Sequence, residues 1–164
     1  MLIMKNILFP TDFTPQSLGV LEQYIKGASG SRITIILFAS FEMPASEQEV
    51  VGAGNKPHLQ VMNEEFRKGC KKLKEKYAGL IGNIFFKYMY GNTRQVFRNY
   101  LDFNEIDQIF FPEGFQLMQP HPRFLDPSSL INNAGIPVIR ELPTVANSRP
   151  KQAAGLKTEL SASY

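Results

Sequence analysis

Seven residues from Ile33 to Ala39, "ITIILFA", are apolar without interruption apart from one threonine, and they are rich in β-branched side chains. A strand with one face in water alternates apolar and polar residues. A near-continuous run is what a parallel sheet covered by helices on both faces requires. Comparable short runs occur at Ile3–Phe9, Asn83–Tyr90, Gln108–Phe111 and Ile136–Arg140. These five predict five strands.

Between them the apolar period changes from continuous to three-and-four. Thr14 followed by Pro15 gives a helix cap and a favoured first helical residue, and Leu18, Leu21, Ile25 and Ala28 mark one face up to Gly30. From His58 to Tyr77, Leu59, Met62, Phe66, Cys70, Leu73 and Tyr77 recur at helical spacing. Asn92 or Thr93 caps a third helix with Val96, Phe97, Tyr100 and Leu101 inside. Asp126 before Pro127 opens a fourth through Leu130, Ile131 and Ala134, ending at Gly135. The order βαβαβαβαβ predicts a single-domain, doubly wound α/β fold with a parallel sheet and helices on both faces.

A chain of 164 residues with 43% hydrophobic residues suits one core, placed here at residues 1–143, with a polar, flexible tail at 144–164. Residues 41–57, "FEMPASEQEVVGAGNKP", lack periodicity and read as an excursion after the second strand. Eighteen Lys plus Arg against fifteen Asp plus Glu is too even a balance to indicate nucleic-acid binding. The lysines of the second helix are interspersed with Glu64, Glu65 and Glu75 and read as a solvated face. One cysteine and two distant histidines exclude an intramolecular disulfide and a thiolate zinc site, and they fit a reducing cytoplasm. Cys70 sits among apolar residues and reads as a small buried hydrophobe. The opening "MLIMKNILFP" runs into Pro10 and Asp12 as a strand does, and no run approaches the ~20 apolar residues of a membrane span. No catalytic constellation is present, so a non-enzyme is expected.

Three segments, "MKNILFPTDFTPQS", "YGNTRQVFRNYLDFNEIDQIFF" and "LINNAGIPVIRE", together resemble the universal stress protein family over about Met4 to Glu141. The matching features are the acidic residue past the first strand (Asp12), the glycine before the third helix (Gly91), the aspartate entering the fourth strand (Asp107), and Ile136-Pro137-Val138. The resemblance implies a five-stranded parallel sheet of order 3-2-1-4-5. It also implies a crevice at the carboxyl ends of strands 1 and 4, lined by Pro10, Thr11, Asp12 and Phe13 and by Pro112, Glu113 and Gly114. In such a crevice Asp12 would touch a purine nucleoside; without a phosphate loop the favoured reading of Asp12 is a polar turn residue between strand and helix. Members that bind nucleotide carry, after strand four, two glycines two residues apart and then, about nine residues on, a glycine with a serine or threonine.

Here that stretch reads "PEGFQLMQPHPRFLDPSS", in which only Gly114 is a glycine. Phosphate loops need glycines so that backbone N–H groups can approach the oxygens, whereas Pro112, Pro120 and Pro122 have no N–H to offer. Arg123, His121 and Ser128 could assist an anion at the fourth helix, but Asp126 as its cap would occupy those donors. The candidate crevice set is therefore Thr11, Asp12, Phe13, Gly91, Glu113, Gly114, Arg123 and Ser128, with no cofactor expected. A phosphoacceptor receiver domain needs an aspartate after strand three, where this chain has "YMYGN". The expectation is a non-catalytic stress-response or regulatory protein acting through a homodimer or a protein partner; the alternative is an ATP- or AMP-binding switch. The dimer is expected through the edge strand, by Ile136, Val138, Ile139 and Arg140.

Overall fold

The computed structural model describes residues 3–28, 31–43 and 61–142. The expected tail at 144–164, Gly30, His58 and all but the first three residues of the 41–57 excursion lie outside the described residues. The strands are β1 (Ile3–Pro10), β2 (Ser31–Phe41), β3 (Ile81–Tyr90), β4 (Gln108–Phe110), β5 (Phe124–Leu125) and β6 (Val138–Ile139). The helices are α1 (Pro15–Gly27), α2 (Glu64–Lys76), α3 (Arg94–Phe103) and α4 (Ser128–Asn132).

The parallel strands run β3-β2-β1-β4-β6, the order expected, with β6 as the fifth parallel strand. The five-stranded expectation needs one correction. A sixth strand, β5, comes from the loop after β4 and pairs antiparallel with the end of β2, Ser40 opposite Leu125 and Phe41 opposite Phe124. Phe124 is buried against Phe41, ring centroids 6.0 Å apart, so an apolar residue in a proline-rich loop recruits the chain to the sheet.

Strand alternation sorts the core into two layers. Ile7 and Phe9 of β1 and Ile33, Ile35, Leu37, Ala39 and Phe41 of β2 pack with Leu21, Tyr24 and Ile25 of α1 and Phe66 and Leu73 of α2. Leu8, Ile36 and Phe38 face the other way, onto Phe97 and Leu101 of α3 and Leu130 and Ile131 of α4. Both faces of β1 and β2 are thus covered, which is why their central residues, Ile7–Phe9 and Ile35–Ala39, are apolar without a break.

The caps are largely those the sequence predicts. Thr14 accepts the Ser17 N–H at the start of α1, and Thr93, rather than Asn92, accepts the Val96 N–H at the start of α3. α2 is shorter than the span from His58 predicts: Asn63 takes the Phe66 N–H at 2.8 Å and fixes the helix start at Glu64. α4 starts at Ser128 with Pro127, not Asp126, at the cap position. Asp126 acts one residue earlier, its Oδ1 accepting the Ser128 N–H at 2.9 Å and the Ser128 hydroxyl at 2.6 Å. The final strand contracts from Ile136–Arg140 to Val138–Ile139. The Pro137 carbonyl still accepts the Ile109 N–H, so the proline sits at the strand entrance and uses only its acceptor.

Candidate functional site

The crevice lies beyond the carboxyl ends of β1 and β4, where strand order reverses. On the β1 side, Thr11 and Asp12 are fully buried polar residues. The Thr11 hydroxyl bonds to the Ser17 hydroxyl at 2.9 Å and accepts the Phe13 N–H at 3.1 Å. That bond holds Phe13 at φ 66°, a left-handed conformation uncommon outside glycine. The Phe13 ring is thereby turned inward, edge-on to Phe66 and Phe86 at 5.6 and 5.4 Å.

Asp12 is only 2% exposed, and both its carboxylate oxygens are engaged. Oδ1 accepts the Thr14 hydroxyl at 2.6 Å and the Thr14 N–H at 3.1 Å. Oδ2 accepts the Met118 N–H at 2.7 Å, across 106 residues of sequence. This last bond brings the β4–α4 loop over the crevice. A buried carboxylate needs such donors, because desolvation without them costs several kcal/mol, of order 2–7 even for a neutral polar group.

The loop fills the space with its own side chains. Phe115 stacks on Phe9 at 5.8 Å and meets Phe111 edge-on at 5.9 Å, while Leu117 packs against both core layers. Gly114, at φ 81°, supplies the turn that points Phe115 back toward the sheet. Further along, the Arg123 carbonyl accepts the Glu42 N–H at 2.8 Å, extending the β5–β2 pairing. His121 stabilises the return: its Nδ1 accepts the Arg123 N–H at 3.0 Å, and its ring stands perpendicular to Phe41 at 5.9 Å. Burial, and secondarily the Arg123 charge, hold the His121 pKa below its ordinary value.

The other sequence candidates sit around this closure without converging on one point. Gly91, at φ 90°, ends β3, donating to the Phe41 carbonyl at 2.8 Å and accepting the Ser40 hydroxyl. The exposed Glu113 donates its N–H to the Arg140 carbonyl at 2.7 Å, extending the β4–β6 pairing. Ser128 is bound by Asp126 as described. Of the edge residues, Val138 and Ile139 are half-buried, and Arg140 reaches back to the Phe111 carbonyl and the Asn132 side-chain oxygen. Sequence reasoning missed Phe115, Leu117 and Met118. The signal was present as "FQLM", three large apolar residues in four where a phosphate loop would be small and polar. Among the described residues no group of three His, Cys, Asp or Glu is placed to hold a metal, and no helix is long and apolar enough to cross a membrane.

By sequence the chain matches no family model and no curated protein. In structure it is similar to the hypothetical protein PH0823, at 17% identity and a TM-score of 0.52, covering 84% of this chain and 94% of that one. It is likewise similar to the hypothetical protein MJ0577, at 16% identity and a TM-score of 0.51, with 84% and 94% covered. A protein of the universal stress protein family from Burkholderia pseudomallei also matches, at 12% identity and a TM-score of 0.49, with 84% and 96% covered. The fold is the one shared with PH0823 and MJ0577. At these identities the likeness is one of fold, and it agrees with the strand order. In this chain the loop after β4 carries Pro112, Pro120 and Pro122 and the apolar Phe115, Leu117 and Met118.

Proposed function

We propose that this chain is a non-catalytic regulatory protein of the universal stress type, acting through a homodimer or a protein partner, whose nucleotide crevice is closed by its own loop. The observation that carries the reading is the Met118 N–H on Asp12 at 2.7 Å, with Phe115 stacked on Phe9 beneath it. A nucleoside taking Asp12 would have to displace that bond, and its base would compete with Phe115 for the apolar floor. The loop offers an incoming phosphate few backbone donors, since Pro112, Pro120 and Pro122 have none. Calorimetric titration with ATP and AMP tests the reading, with the Asp12 and Met118 amide resonances reporting location. No micromolar binding at the crevice is expected. Micromolar affinity accompanied by shifts of those two resonances would instead make the protein an ATP- or AMP-binding switch whose loop opens.

A further inference from the structure

The opposite end of the sheet carries a different feature. A depression of about 360 Å³ lies where β2 and β3 begin, under the carboxyl-terminal half of α2. Arg32, Lys71, Lys74 and Glu75 line it, with Ile81 and Gly82 from the start of β3. Three cations against one carboxylate leave two positive charges. Among the described residues none of the four is in an ion pair; Lys74 bonds a neutral partner, the Asn83 side-chain oxygen, at 3.0 Å.

The backbone is shaped for this arrangement. Ile33 of β2 pairs with Ile81, but Thr34 pairs with Asn83, so Gly82 is the extra residue of a bulge. A Cβ at Gly82 would lie 3.1 Å from the Met4 Cε and 3.5 Å from the Arg32 Nε. A glycine bulge in a strand interior marks a place where something approaches the backbone closely; here the closest atom is the Met4 methyl, with the Arg32 Nε at ordinary contact distance beyond it. Lys74 lies in the last turn of α2, where a cation also complements the helix dipole, but Lys71 lies a turn earlier and has no such role. The aliphatic stems of the lysines and the exposed Ala78 methyl add carbon surface beside the charges.

We propose that this depression binds a small phosphate monoester with an apolar body. The dianion matches the two excess charges, the planar guanidinium suits a bidentate phosphate contact, and the lysine stems and Ala78 receive the apolar part. The volume is at the small end of the range for organic ligands, ~300–1,000 Å³. The site stands apart from the crevice and does not depend on how that region is read.

Phenyl phosphate is a suitable probe, titrated into the isotope-labelled full chain and followed at the Arg32, Ile81 and Gly82 amides. Saturable shifts at those amides are expected, with inorganic phosphate several-fold weaker. The Lys71→Glu/Lys74→Glu variant, which leaves the buried face of α2 untouched, should weaken binding at least tenfold, whereas Lys71→Arg/Lys74→Arg should retain it. Absence of saturable shifts at these amides, equal affinity for inorganic phosphate, or undiminished binding by the glutamate variant in a spectrum otherwise unchanged would each overturn the proposal.

Discussion

Asp12 shows how much one buried side chain can organise. Its carboxylate ties the β1–α1 turn to a loop more than a hundred residues away, and an alanine there leaves the Thr14 and Met118 N–H groups without their acceptor. Each stranded donor costs about 1–3 kcal/mol. Asp12→Ala should therefore lower stability by roughly 2–4 kcal/mol in a denaturant titration, and hydrogen exchange should show Met118 losing protection before the β1 amides do. His121 predicts a pH dependence. Its Nδ1 is an acceptor in the native state and its pKa is depressed, so below the ordinary imidazole value the unfolded chain binds more protons than the folded one. This contribution is present above about pH 6.5 and is lost as pH falls from there toward the lower folded value. His121→Asn, which keeps an acceptor but cannot titrate, should flatten part of the fall in melting temperature between neutral and mildly acid pH; an unchanged slope would refute the role. Cys70 is chemically quiet: burial pushes its thiol up to about 11. Alkylation by iodoacetamide at pH 8 should be at least ~10-fold slower in the native than in the unfolded chain, since the thiolate is the reactive form.

Among the elements, β1 and β2 were legible because their central residues are apolar on both faces, and a both-faces pattern has few structural outcomes; the half-exposed β3 was legible from its aromatic content. α1 and α3 were legible from their caps, since Thr14-Pro15 and Thr93 act through bonds within one turn. β5 was not legible. Two residues in a proline-rich loop have no period, and Phe124 becomes a strand residue only because the end of β2 and the Phe41 ring are within reach. The crevice residues Thr11, Asp12 and Phe13 could be named from the resemblance, but their partner Met118 could not, because the bond uses its backbone and leaves the side chain exposed. Phe124→Ala tests whether β5 is a structural clamp. Truncating a buried phenylalanine typically costs about 3–5 kcal/mol, less where the site can relax into solvent, so a loss of about 2–3 kcal/mol is expected. The Glu42 and Met118 amides should lose exchange protection while α3 keeps its own; uniform loss across the chain would show that the loop does not open as a unit.

At the scale of the whole molecule, the chain has a sheet with two ends of different character and one short outer strand. β6 pairs with β4 on one side, and Val138 and Ile139 remain half-buried at the edge, where a two-fold mate could cover them. Light scattering at tens of micromolar should report a dimer, and Ile139→Pro should shift it toward monomer; a monomeric wild type would remove this interface. The other feature is the crevice under the β4–α4 loop, with Met118 on Asp12. The most direct measurement is calorimetric titration of the full chain with ATP and AMP, repeated on the Lys71→Glu/Lys74→Glu variant so that heat from the basic depression is removed. No micromolar binding in that variant and undisturbed Asp12 and Met118 amide resonances are expected if the loop closes the crevice, whereas micromolar affinity that survives the lysine substitutions and moves those resonances would show that the crevice opens to nucleotide.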